Sequence, residues 1–136
     1  MKKIEKIKTV ILYGVFICYI ILLIKILILS RLSHMEHRSI NLIPFHSIME
    51  YISGRSDNLK AFAFGNVVGN IAIFIPLGTY LSLFKKDKRV ITNLLFIFIV
   101  SLSVEIIQGL LSIGASDIDD IILNCLGGLI GILGYK

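Results

Sequence analysis

Glu105 carries the heaviest chemical burden in this sequence. It stands in an apolar run, residues 91–113, that also carries Gln108. A helix rises about 1.5 Å per residue, so Glu105 lies roughly 12 Å from the run's far end. If that run crosses a bilayer, a carboxyl at such depth costs about 3 kcal/mol on insertion scales, and it is read first as a functional residue. It can act as a general acid or base. Gln108 shares its helix face, and Ser101 and Ser112 extend the stripe. Asn66 and Asn70 lie one turn apart in the preceding apolar run. Asp117, Asp120 and Asn124 descend from the start of the next one, with Gly127, Gly128 and Gly131 below on about the same face. Counted from the run ends, Asn70, Glu105, Gln108, Asp120 and Asn124 share one level. They are expected to enclose a single polar pocket, in which Asp117 and Asp120 have the chemistry to hold a divalent cation.

Each of these residues also has a structural reading. Asn70, Gln108 and Asn124 suit interhelical hydrogen bonds of about 1 kcal/mol each. Ser116 and Asp117 suit the N-cap of a helix, and Asp119 and Asp120 its first turn, near the positive end of the helix dipole. Lys25 is a candidate partner for Glu105, although its long stem also allows it to snorkel toward headgroups, the reading preferred here. His34 and His37 form an H-x-x-H pair near Glu36 and His46, but nothing nearby supplies the rigid frame that zinc requires. No metal and no cofactor is expected.

The elements that position these groups follow from the chain's apolar character. Of 136 residues, 56% are hydrophobic and 17% charged, and the mean hydropathy is +0.88. A soluble domain carries about 25% charged residues. Here the charges cluster, and the apolar runs between them match the roughly 20 residues that cross a bilayer as a helix. Four spans are expected, at residues 9–29, 61–84, 91–113 and 118–135, making one all-α transmembrane bundle. The first run has a basic start but is too long for a signal peptide, and no small-residue cleavage site follows it. Cys18 and Cys125 each fall inside a span and read as small hydrophobes.

The net charge of +5 is placed for a membrane rather than for nucleic acid. Lys2, Lys3, Lys6 and Lys8 precede the first span, and Lys85, Lys86, Lys88 and Arg89 link the second to the third. The turn before the fourth holds Asp117, Asp119 and Asp120 with no basic residue. The positive-inside rule therefore puts both termini and the basic link in the cytoplasm, and the acidic turn and residues 30–60 outside.

In that outer stretch, Pro44 suits a helix's first turn, and Phe45, Ile48, Met49 and Ile52 repeat as an apolar face. A short helix in the outer interface and a plain covering loop are both open readings. Pro76, two residues before Gly78, is expected to kink the second span. Gly65 with Gly69, and Gly127 with Gly131, have the spacing that lets helices approach closely, most simply within the bundle. No nucleophile elbow, phosphate loop or dinucleotide fingerprint is present. Nor does the chain show the paired broken helices of a transporter.

The order Asn41-Leu-Ile-Pro-Phe45, Asn70-Ile-Ala-Ile-Phe-Ile-Pro-Leu-Gly78, Glu105-Ile-Ile-Gln108, Ile113-Gly-Ala-Ser-Asp-Ile-Asp-Asp120 and Asn124-Cys-Leu-Gly-Gly128 resembles the VanZ-like family. The resemblance runs from about residue 41 to residue 135. It implies an integral membrane protein of the bacterial cell envelope. Family members linked to teicoplanin resistance lower susceptibility to that lipoglycopeptide without remodelling the cell-wall precursor. The family's recurring polar positions correspond to Asn70, Glu105, Gln108, Asp117, Asp120 and Asn124. Its motif positions correspond to Asn41, Pro44, Phe45, Pro76, Gly78, Gly127 and Gly128. This chain departs from the pattern at Gly114-Ala-Ser, where many members carry an arginine before the acidic turn, and it ends after the fourth span where some continue.

Three functions are open. A non-enzymatic envelope protein would use the outward pocket for a lipid-linked cell-wall component or a glycopeptide. A membrane enzyme would use Glu105 on a lipid or precursor headgroup. A small transporter would couple Glu105 to protons. The first demands least of these residues. The bilayer is the partner the sequence implies; oligomeric state is not encoded legibly.

Overall fold

The computed structural model describes residues 2–29, 39–53, 57–84, 89–113 and 115–135. The His34/His37 pair and the basic link 85–88 lie outside the described residues. The chain is nearly all helical: α1 Lys2–Ile24, continued by a π-helical stretch Lys25–Leu29, then α2 His46–Ser53, α3 Asp57–Phe84, α4 Val90–Leu111 and α5 Ile118–Gly134. Two three-residue strands interrupt them, β1 Ser39–Asn41 before α2 and β2 Ala115–Asp117 before α5.

Three helical stretches are long and apolar enough to cross a membrane, Ile4–Leu29, Phe64–Phe84 and Val90–Leu111. This is a polytopic, helical membrane architecture. The helix α5 has 17 residues, about 26 Å at 1.5 Å per residue against roughly 30 Å of hydrocarbon.

The helices α3 and α5 form the tightest pair. They run parallel, because Asn70 meets Asp120 near one end and Ser82 meets Ile132 near the other. Glycine allows their close approach. A Cβ on Gly78 would fall 2.0 Å from the Gly128 carbonyl oxygen, and one on Gly131 would fall 2.1 Å from that of Ile75. A Cβ on Gly127 would meet the Ile71 carbonyl at 2.1 Å. The expected role of Gly127 and Gly131 in helix packing is thus met. Gly65 and Gly69 share the same spacing but have open space where a Cβ would go. The sequence pattern is the same in both pairs; the partner surface differs.

The helix α4 runs antiparallel to them and buries Asn93, Ile97, Ser101, Val104, Glu105 and Gln108. It contributes Ile97 and Val104 to a core with Phe74, Leu77, Leu81 and Ile132.

The helix α1 is attached along one narrow stripe, with Leu23 and Leu27 buried and most of its aliphatic side chains exposed. In hydrocarbon such exposure carries no penalty, so packing and polar contacts decide the attachment. Phe16 stacks on Tyr80 with ring centroids 3.5 Å apart. The Tyr19 hydroxyl donates to the Ile73 carbonyl at 2.7 Å. That carbonyl neighbours the one at Ala72, whose helical donor is removed by Pro76 inside α3. A polar contact from α1 therefore lies beside the proline break, as backbone irregularity in lipid requires.

Candidate functional site

The site begins with a helix that cannot cap itself. The residue before α2 is Phe45, whose side chain has no acceptor for the orphan N–H groups of the first turn. Phe45 also adopts φ 66°, a left-handed conformation that costs a non-glycine residue about 1–2 kcal/mol. Asp119, from the first turn of α5, supplies what is missing. Its carboxylate accepts the Phe45 N–H at 2.5 Å, the Ser47 N–H at 2.8 Å and the Ile48 N–H at 3.4 Å. Asp119 is fully buried, and the positive end of α2 faces its charge.

Asp117 makes the second tie. It is the N-cap of α5, accepting the Asp119 N–H at 3.0 Å. It also accepts the Asn41 side-chain amide at 3.2 Å and the Ser47 hydroxyl. Asn41 in turn accepts the Ile43 N–H at 3.1 Å, forming the turn that leads to Pro44. Below this lies Glu105, which accepts the Asp117 N–H at 3.0 Å, while Ser116 donates to the Glu105 backbone carbonyl at 3.1 Å. The strands complete the seam: β1 and β2 pair in parallel, Asn41 opposite Asp117. Segment 39–53 is therefore fastened to the acidic turn by a strand pair and two carboxylates, Asp117 and the borrowed cap Asp119, while Glu105 holds the turn itself.

The remaining polar residues make separate contacts. Asp120 accepts the Asn70 amide at 2.5 Å and the Asn66 amide at 3.4 Å, joining α5 to α3. Asp117 thus holds Asn41 and Ser47, and Asp120 holds Asn66 and Asn70. Gln108 donates to the Leu27 carbonyl at 2.7 Å, in the π-helical stretch that continues α1. The first span is therefore part of this layer, which the expected pocket of spans two to four did not include. Asn124 donates to Ser101 at 2.8 Å. Lys25 is exposed and forms no ion pair among the described residues, so the pairing with Glu105 is not made.

Two clefts border residues of this set. One cleft of about 530 Å³ lies between Ile26 and Leu27 of α1 and the Gly65, Asn66, Gly69 and Asn70 face of α3. Another, of about 470 Å³, has Glu105, Ser116 and Asp117 among aliphatic side chains such as Leu42, Ile106 and Leu110.

The helix α2 has no fully buried residue. Ser47 points inward to the carboxylates, while Phe45, Met49 and Ile52 are exposed together with Leu42 and Ile43 before them. Of the two readings open for this stretch, the short helix is present, and Ile48 of its apolar face is half-buried.

Two residues of weight were not singled out as candidates. Asp119 was seen as a helix-turn acid, not as the cap of a distant helix; the acceptor-poor Pro44-Phe45 start of α2 was the available signal. Asn93 was not singled out at all. It is fully buried, and neither of its amide atoms has a hydrogen-bond partner among the described residues. Such a group costs about 1–3 kcal/mol by mutational measures.

Residues 10–136 match the family model described as VanZ/LLP1. Protein VanZ of Enterococcus faecium is 39% identical over 85 residues, which are 60% of this chain and 53% of that protein. The chain thus spans about half the length of the curated relative it matches. No solved structure matches.

Proposed function

The chain belongs to the VanZ/LLP1 family, and from that premise we propose that it is a non-enzymatic protein of the bacterial cell membrane that lowers susceptibility to teicoplanin-type glycopeptides. In this reading α5 is a fourth crossing. Its short length is offset by its burial against α3 and α4, and both termini lie in the cytoplasm. The basic residues at the chain start and in the 85–88 link support that orientation.

One observation carries the proposal. Asn41 and Ser47 of segment 39–53 are turned inward onto Asp117 and Asp119, and Leu42, Ile43, Phe45, Met49 and Ile52 are left exposed beside His46 and Glu50. Placed on the outer side, this segment forms a rigid apolar patch at headgroup level. A lipoglycopeptide with an acyl chain works at that same face, so a protein that reshapes the face alters access to the target. An enzymatic role is less well supported, because Asp117 and Asp119 hold backbone N–H groups in place and the Ser116 hydroxyl beside Glu105 donates to a backbone carbonyl.

The test is the inhibitory concentration of teicoplanin for a susceptible Gram-positive host. The wild-type chain is expected to raise it severalfold and to leave that of vancomycin unchanged. Glu105→Ala, at a matched level in the membrane, is expected to lose the effect. Equal values for wild type and empty vector would remove the resistance reading.

A further inference from the structure

Two buried amides lie along the contact between α4 and α5, on either side of Ile97. Asn93 is 0% exposed, and both its Nδ2 and its Oδ1 are unpaired among the described residues. Asn124 is 1% exposed and donates to Ser101 through Nδ2, while its Oδ1 is unpaired among the same residues. Ile97 fills the notch at Gly128, where an added Cβ would fall 2.4 Å from the Ile97 Cδ1. One turn from Ile97 in one direction is Asn93; one turn in the other is Ser101, and one turn beyond that is Glu105. These residues share the buried face of α4.

The chemistry of the unpaired atoms limits what can satisfy them. Asn93 needs both a donor and an acceptor at the same place. A metal cation would satisfy its Oδ1 and oppose its NH₂; an anion would do the reverse. A second copy of the chain or a lipid headgroup cannot reach a residue with no exposed surface without opening the bundle. Water both donates and accepts, and is small enough to enter a packed seam where polar groups hold it. Asn124 Oδ1 needs a donor, which water also supplies.

We propose that the α4–α5 seam binds internal water at two sites, one around the Asn93 amide and one at Asn124 Oδ1 beside Ser101. Together they form a hydrated polar file that runs from the Glu105 layer toward the Val90 end of α4, with Ile97 as its dry break. This file adjoins the outer network at Glu105 and does not depend on any effect on glycopeptides.

Radiolytic hydroxyl labelling tests it, since radicals made from a bound water oxidise the side chains that touch it. The full chain in lipid nanodiscs is irradiated, and oxidation is read peptide by peptide by mass spectrometry. Ile97 and Phe74 are both 0% exposed, and the phenyl ring is intrinsically the more reactive toward hydroxyl radicals. Oxidation is expected at Ile97 and not at Phe74. Asn93→Leu is expected to reduce the Ile97 signal, and Asn124→Leu to reduce it as well. Wild-type Ile97 as unreactive as Phe74 would overturn the proposal without recourse to any variant. So would an Ile97 signal that stays at the wild-type level in both variants.

Discussion

Gly78→Ala is expected to abolish the folded bundle. The added Cβ would sit 2.0 Å from the Gly128 carbonyl oxygen and 2.8 Å from its carbon. Both contacts are with backbone, so no side-chain rotation can relieve them. Overpacking a core typically costs about 1–3 kcal/mol, and a clash between two main chains belongs at or above the top of that range. The α3–α5 pair would have to separate, loosening the Asn70–Asp120 bond near one end and the Ser82–Ile132 bond near the other. Detergent-solubilised protein should lose its monodisperse peak and its membrane level should fall sharply. Gly65→Ala is the control: open space surrounds that position, and the variant should behave as wild type. Equal behaviour of the two alanine variants would show that α3 and α5 do not meet through Gly78.

Asp119→Ala is expected to free the outer segment while leaving the bundle standing. The substitution removes the acceptor of the Phe45, Ser47 and Ile48 N–H groups. A lost N-cap costs about 0.5–2 kcal/mol, and a hydrogen bond to a charged group about 1.5–3 kcal/mol. Because the three bonds share one carboxylate, their losses do not add, and a combined cost on the order of 3 kcal/mol follows. Amide hydrogen exchange across α2 should accelerate by about two orders of magnitude, with α3 and α5 little changed. Asp119→Asn keeps one acceptor oxygen and should fall between wild type and the alanine variant. Unaltered exchange across α2 in Asp119→Ala would show that the borrowed cap does not hold the segment. If it does hold, the same variant should also lose the rise in teicoplanin inhibitory concentration.

How much of this was legible depends on the range of each interaction. The helices around the three long apolar stretches were readable because run length in a membrane is a local property. The stripe of Ser101, Glu105 and Gln108 on one face of α4 followed from helical periodicity, and all three are buried. The N-cap role of Asp117 was readable from residue type and position. The Asp119 cap joins residues 72 apart for Ser47, and nothing local marks that pairing. The strands β1 and β2 are three residues each, too short for any periodicity. Gly65 and Gly69 looked the same as Gly127 and Gly131, because the motif records small size and not what lies opposite. Asn93, a few residues from Arg89 at the helix start, carries no local mark; its complete burial depends on its neighbours in space. The partners of the expected pocket residues were not readable for a similar reason. Depth along each helix could be counted, but the direction of each side chain around its axis could not.

The orientation of segment 39–53 decides the functional account more directly than any loss of activity. Ser53 closes α2 and is exposed, so Ser53→Cys reports the side on which that segment lies. Cys18 and Cys125 are first replaced by alanine, leaving one thiol, and intact cells are treated with a membrane-impermeant maleimide. The account predicts labelling at position 53 in intact cells, with no further rise after lysis. Labelling that appears only after lysis would put the carboxylate-held segment on the cytoplasmic side and contradict an action at the outer face.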